Sequence, residues 1–305
     1  MVIAMQSECN VVETIIVEGR FLSNSKVSPS SFFVAPLIKP FIKPCCFRRI
    51  IMKISQVAAQ LYTLRDQCKT EADIAFSLER VRKIGYQAVQ ASGLGPISED
   101  RLLQLCRDNG LTLCATHESL SSLLDTPDQI IERLHKLGCK HTALGSPGGV
   151  DLGSREGVMD YCRRVDEAAQ KFAAAGISLS HHNHHFEFRK LGDKPVLQLI
   201  LENTRHLTFE IDTYWVQYGG ANPESFVKLA AGRLPLLHLK DYAIGADNTP
   251  DFAEIGSGNL EFPAIIAAAK QSGCEWFIVE QDTTPADPFD SLQISFNYIR
   301  DHLCA

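Results

Sequence analysis

Four short stretches of this chain gather side chains able to hold a divalent cation. They are Ser180-His181-His182-Asn183-His184-His185-Phe186-Glu187-Phe188, Phe209-Glu210-Ile211-Asp212, Leu237-His238-Leu239-Lys240-Asp241 and Val279-Glu280-Gln281-Asp282. Apolar residues lead into Asp212, His238 and Glu280, as they do in buried strands. These three and a donor from the first stretch make a mixed oxygen and nitrogen set. Such a set suits Mn, Co, Mg, Fe or Zn better than it suits a thiolate-preferring ion. Taken singly, an Asp or His at a strand end is more often a cap or a satisfied surface group. Four together weigh differently, because polar groups crowded at one place repel or lose hydration unless a cation joins them. The run His181 to His185 by itself also fits an adventitious metal tract; its place on a strand end favours a site.

Side chains 26 and 42 residues apart meet only if adjacent strands carry them. The chain has a repeat that does this. At Gly85, Gly110, Gly138, Gly176, Gly232 and Gly273 a helix-like stretch ends in glycine and an apolar strand follows. Glycine after a helix takes the left-handed conformation that closes the last turn. The pattern predicts strands over Ile54–Leu61, Ala88–Ala91, Thr112–Thr116, Thr142–Leu144, Ile177–His181, Leu207–Ile211, Leu236–Leu239 and Trp276–Val279. Helices fall between them. One has Ile74, Leu78, Val81 and Ile84 on a single face, and another starts at Thr126-Pro127. Eight strands alternating with eight helices over about 250 residues predict an α/β protein, a (β/α)8 TIM barrel. No G-x-G-x-x-G follows the first strand, so a doubly wound dinucleotide-binding sheet lacks support. In parallel α/β folds ligands sit beyond the carboxyl ends of the strands, where the four stretches lie.

The totals narrow the class. The chain has 305 residues, 45% hydrophobic and 22% charged, with a formal net charge of -6. That charge opposes nucleic acid as a partner, which needs a basic face. The ten cysteines show no C-x-x-C spacing, which points to free thiols and a cytoplasmic protein. Residues 1–51 stand outside the repeat and are read as an extension, disordered or an upstream non-native segment. No apolar run there approaches the roughly 20 residues of a membrane-spanning helix, and Glu8, Glu13 and Glu18 speak against a targeting peptide. The barrel is assigned to 52–305.

The stretch 52–305 resembles the xylose isomerase-like TIM barrel superfamily, in its sugar phosphate isomerase/epimerase branch. The matching pieces are Gln60-Leu61-Tyr62-Thr63-Leu64-Arg65, His182-Asn183-His184-His185-Phe186-Glu187-Phe188, Asp212-Thr213-Tyr214-Trp215, His238-Leu239-Lys240-Asp241 and Glu280-Gln281-Asp282. The resemblance implies one divalent metal, often manganese, with Asp212, His238 and Glu280 among its ligands. The better-known epimerases place a Glu at the end of strand five, where this chain has His181 or His182. Either Glu187 turns back to the metal or a histidine takes the place; Glu187 is the residue expected, with His182 and His184 close by. A small-molecule carbohydrate is then the partner, with neither nucleic acid nor membrane, and a homo-oligomer is left open.

The chemistry expected is enolisation. A cation bound to a substrate carbonyl and its neighbouring hydroxyl would stabilise an enediolate, and a positioned base would take the adjacent proton. Glu280 and Glu187 are the expected base and acid. Lys240 would stabilise the oxyanion or donate a proton through a pKa lowered by the metal, unless it merely pairs with Asp241. Tyr62, His117, His182, His184 and Trp215 are expected to contact the sugar. Arg65 would hold a phosphate or carboxylate, or lie on the surface. Gly256-Ser257-Gly258 reads as a plain turn rather than an anion site. The function expected is a metal-dependent isomerase or epimerase of a keto sugar, sugar phosphate or polyol. A dehydratase or lyase on a keto sugar or inosose is the alternative, and a non-catalytic sugar-binding barrel the second one. A DNA-repair endonuclease of the same superfamily would want additional ligands and a basic face.

Overall fold

A computed structural model describes residues 52–304. Eight strands close into a barrel whose neighbours are all parallel and follow chain order. They are β1 (Val57–Gln60), β2 (Ala88–Ala91), β3 (Thr112–Glu118), β4 (His141–Leu144), β5 (Ser178–His182), β6 (Thr208–Asp212), β7 (Leu236–Leu239) and β8 (Trp276–Val279). β8 pairs with β1, so no edge is left open. The strands are short and almost wholly buried, as expected where helices cover a parallel sheet. The expectations for residues 1–51, including the boundary at Met52, concern a segment outside the described residues. Among the described residues no helix is long and apolar enough to cross a membrane.

Eight helices follow the strands in turn: α1 (Glu71–Ile84), α2 (Glu99–Asp108), α3 (Pro127–Leu137), α4 (Arg155–Ala174), α5 (Val196–Asn203), α6 (Pro223–Leu229), α7 (Phe262–Gln271) and α8 (Pro288–Tyr298). α1 shows how local sequence sets them. Thr70 and Asp73 exchange side-chain and backbone hydrogen bonds in a capping box. Ile74, Leu78 and Val81 are buried on one face. The six junction glycines all have positive φ, from 61° to 126°. At Gly138 the angles are those of a left-handed cap, and its N–H returns to the carbonyls of α3.

Several pieces depart from the predicted pattern: the first strand, expected over Ile54–Leu61, shortens to Val57–Gln60 between two 3-10 turns, and three connections hold further elements. A short helix, Leu120–Asp125, precedes α3. Thr126 therefore closes that helix, with its hydroxyl donating to the Ser122 carbonyl, and gives α3 no side-chain cap. A second short helix, Thr213–Tyr218, starts directly at the end of β6. The long connection after β7 contains an antiparallel hairpin, Asp241–Ile244 with Pro250–Ala253.

Inside the barrel, side chains two apart on a strand share a face, and this stacks the interior in levels. Ala58, Ala88, Cys114, Ala115, Leu236 and Ile278 make a small apolar plug. Two residues further along their strands stand Gln60, Gln90, His238 and Glu280. Glu210, on β6, belongs with this polar level. The interior is thus apolar at one end and charged towards the carboxyl ends of the strands.

Candidate metal centre

His182, Asp212, His238 and Glu280, from β5 to β8, each present one ligand atom, and those atoms lie within 4.8 Å of one another. All four residues are buried. The main chain explains how they are aimed. Asp212 ends β6 and caps the helix 213–218, with Oδ1 accepting the Trp215 N–H at 3.0 Å. Its Oδ2 stays free for the cluster, 3.2 Å from His182 Nε2. The cap and the candidate ligand are therefore one side chain with two oxygens. Asn183 Oδ1 accepts the Asp212 N–H, and the Thr213 hydroxyl donates to the carbonyls of His238 and Lys240, fastening β6 to β7.

His238 lies between two groups of acids. Its Nδ1 is 2.8 Å from Glu280 Oε2 and has no hydrogen-bond partner. Its Nε2 faces Gln90 Oε1 at 2.7 Å and Glu210 Oε1 at 3.2 Å. Burial alone would lower its pKa, but Glu210 and Glu280 outweigh that and hold it well above the usual histidine value. Burial dominates at His182, whose pKa falls to about 3, and at His184, which falls to about 4. Both are neutral lone-pair donors at neutral pH. Burial also works against charge on Asp212, yet Lys240 and the neighbouring imidazoles bring its carboxyl well below the usual range. Glu280 is lowered in the same way, against its burial, by Lys240 and His238.

Lys240 is buried with its ammonium 3.1 Å from Asp212, 2.8 Å from Glu280 and 2.9 Å from Asp282. Its pKa is well above the ordinary lysine value, because these three carboxylates exceed the penalty of burial. The alternative, a pairing of Lys240 with Asp241, does not form. Asp241 instead accepts backbone N–H groups of Tyr242, Gly256, Gly258 and Leu260 at 2.8 to 3.2 Å. The Gly256-Ser257-Gly258 segment thus binds an anion after all, and the anion is the chain's own carboxylate.

Glu187 is the expected ligand that the structure does not bring into the group. It is fully buried but is not part of the four-residue group. The turn His185–Phe188 carries its side chain back along the chain, so Oε2 accepts the His184 N–H at 3.0 Å. Its Oε1 faces His181 Nε2 at 3.4 Å, and His181 Nδ1 in turn meets the Tyr161 hydroxyl at 2.7 Å. His182 stands where Glu187 was expected.

A cavity of about 610 Å³ opens over the cluster, with Tyr62, His117, His182, His184, Trp215 and Glu280 among its lining residues. All five residues expected to contact a substrate line it. Arg65 lies at its edge, stacked 4.6 Å from the Tyr62 ring centre, and donates to the carbonyls of Tyr62 and Asp282. A hollow of about 670 Å³ lies nearby but contains none of the four cluster residues. Glu210, Gln90 and Asp282 received no role from sequence. Glu210 carried a usable signal, since a residue two before Asp212 on the same strand must face the same way.

The donor set suits a divalent cation. Two carboxylates and two imidazoles match an ion of mixed oxygen and nitrogen preference. His238 Nδ1 is a buried nitrogen without a hydrogen-bond partner beside them.

Comparison with known proteins agrees with this architecture. The family model described as xylose isomerase-like TIM barrel matches residues 78–302. A sugar phosphate isomerase/epimerase from Parabacteroides distasonis superposes with a TM-score of 0.65 at 22% identity, covering 80% of this chain and 93% of that one. A probable 3-DHS dehydratase from Bacillus anthracis gives 0.63 at 14%, over 82% of this chain and 100% of its own. An L-ribulose 3-epimerase gives 0.63 at 15%, over 82% and 94%. At these identities the likeness is one of fold. No curated protein matches the chain.

Proposed function

The chain belongs to the xylose isomerase-like TIM barrel family, and from that premise we propose a divalent-metal-dependent isomerase or epimerase acting on a keto sugar or related polyol. One observation carries the reading: His182, Asp212, His238 and Glu280 converge within 4.8 Å beneath an open, polar cavity. Manganese is the cation proposed. When bound, it would supply the charge that polarises a carbonyl and acidifies the neighbouring C–H.

The chain's own groups account for the rest. Glu280, held ionised by Lys240 and His238, is the base that takes the proton beside the carbonyl. Lys240, whose ammonium lies 2.8 to 3.1 Å from Asp212, Glu280 and Asp282, serves as a positive charge near the developing oxyanion. His117 and His184 meet substrate hydroxyls, and Tyr62 and Trp215 offer ring faces to sugar C–H surfaces. Cysteine usage fits a cytoplasmic location, since the seven cysteines of the described residues are all free.

The placement of Glu187 favours a second reading, a dehydratase. Moving a proton between two faces of a carbon with two glutamates needs Glu187 opposite Glu280, and it is turned away towards His181. A base on one face can hand the proton it takes to a departing hydroxyl on that same face, which leaves as water, and that suits elimination. The test is solvent deuterium exchange into a panel of keto sugars and inososes by Mn-loaded protein, followed by NMR. A deuterated isomer or epimer supports the first reading. Loss of a hydroxyl with an unsaturated product supports the second. Neither exchange nor any isomeric or unsaturated product from any substrate overturns both.

A further inference from the structure

We propose that Glu210 is the positioning residue of this centre. Its two carboxylate oxygens fix both His238, under the cation, and His117, in the cavity wall, with their Nε2 protons pointing inward. The inference rests on the metal-site reading above and concerns a residue that does not line the cavity and reaches the four-residue cluster through His238 Nε2.

The geometry is specific. Glu210 is 0% exposed and sits in the middle of β6. Oε2 meets His117 Nε2 at 2.6 Å, and Oε1 lies 3.2 Å from His238 Nε2. Oε1 also accepts the Gln90 amide at 2.7 Å, and Gln90 Oε1 accepts from Gln60 at 2.7 Å and faces His238 Nε2 at 2.7 Å. The orientation of the Gln90 amide follows from this. Its NH₂ must face the carboxylate, so its carbonyl is left to accept from Gln60 and His238. An ionised carboxylate accepts only, so the imidazole nitrogens facing it must be donors. With Nε2 committed inward, Nδ1 of His238 is the nitrogen left for the cation, and it is the one aimed at Glu280. Nδ1 of His117 is likewise left free of any hydrogen bond within the described residues, close to Gly145 at the cavity wall. The His117 and His238 rings stack at 5.4 Å and 14°, as two rings suspended from one carboxylate would. A carboxylate behind a metal-bound histidine sets its tautomer and ring orientation.

His117, Glu210 and His238 are also close enough together to hold a cation of their own. Their atoms already satisfy one another, so the proposal predicts one cation per chain. The experiment has two parts. The first is the histidine ¹⁵N spectrum of Zn-loaded wild-type protein, which depends on no variant. The expected result is His238 with metal on Nδ1 and a proton on Nε2, and His117 with its proton on Nε2. Metal on His238 Nε2, or two cations per chain, overturns the proposal. The second part is Mn titration of Glu210→Gln. A glutamine offers one acceptor and one donor, so it can orient only one of the two rings. Affinity is expected to fall about 10- to 100-fold, with the His117 or His238 tautomer signal split. Unchanged affinity and unchanged tautomers in folded Glu210→Gln overturn it. Wild-type protein that binds no Zn or Mn would instead sink the metal reading itself, so the two failures are distinguishable.

Discussion

The chemistry rests on single atoms that answer to two neighbours at once. Asp212 caps a helix with one oxygen and faces the cluster with the other; His238 faces Glu210 with one nitrogen and Glu280 with the other. A pH effect follows. Without metal, His238 holds its proton well above the ordinary range, because Glu210 and Glu280 outweigh burial. That proton must leave before Nδ1 can accept a cation, so binding releases it. His182 is neutral above about 3 and contributes nothing in the same window. Mn affinity measured by calorimetry is therefore expected to climb about tenfold per pH unit above 6.5, until the raised His238 pKa is passed. A flat profile from pH 6.5 to 7.5, with no proton released, would contradict the assignment. Residue types alone pointed to Asp212, His238 and Glu280. They did not resolve strand five, because whether Glu187 reaches the cation depends on the turn His185–Phe188, which folds its side chain back onto the His184 N–H. Glu210 was legible in principle and passed over, since a buried acid between apolar neighbours looks like part of a strand until its face is counted.

At the level of elements, the strands were legible because each is a short apolar run behind a glycine stop. Ala88–Ala91, Leu236–Leu239 and Trp276–Val279 have the predicted limits. The missed elements carry too little sequence to show a period. Six residues, as in Leu120–Asp125 and Thr213–Tyr218, make under two helical turns. The hairpin after β7 gives no such signal, because neither of its strands follows a glycine stop and the polar run Gly245-Ala246-Asp247-Asn248-Thr249 separates them. What holds that connection is Asp241, directly behind Lys240. A Cβ on Gly258 would stand 2.5 Å from Asp241 Oδ1, so the close approach requires glycine there. Asp241→Ala leaves the N–H groups of Gly256, Gly258 and Leu260 without their acceptor. Denaturant unfolding is expected to show a loss of about 3 kcal/mol, and Gly258→Ala a loss of the same sign. A change under about 0.5 kcal/mol in Asp241→Ala, the size of an ordinary surface substitution, would mean the carboxylate does not organise the loop.

For the whole molecule, the barrel spends much of its interior on charge. Gln60, Gln90, Glu210, Asp212, His238, Lys240 and Glu280 are all buried, where most barrels of this kind stack aliphatic side chains. Lys240 offsets part of the acidic excess, and a bound divalent cation would offset more. The protein should therefore be markedly steadier with metal than without. At one hundred times its dissociation constant, Mn is expected to add about 2.7 kcal/mol to the unfolding free energy. Thermal melts should show a rise reversed by chelator and absent in Asp212→Asn. An equal rise in that variant would place the cation elsewhere.

The most direct measurement is an anomalous-difference map from crystals of Mn-loaded protein, collected near the manganese edge. One strong peak is expected at the mouth of the barrel, about 2.0–2.2 Å, the range of nitrogen and oxygen ligands on a divalent ion such as zinc, from one atom each of His182, Asp212, His238 and Glu280. A peak ligated by Glu187 in place of His182, or no peak among these four side chains, would contradict it.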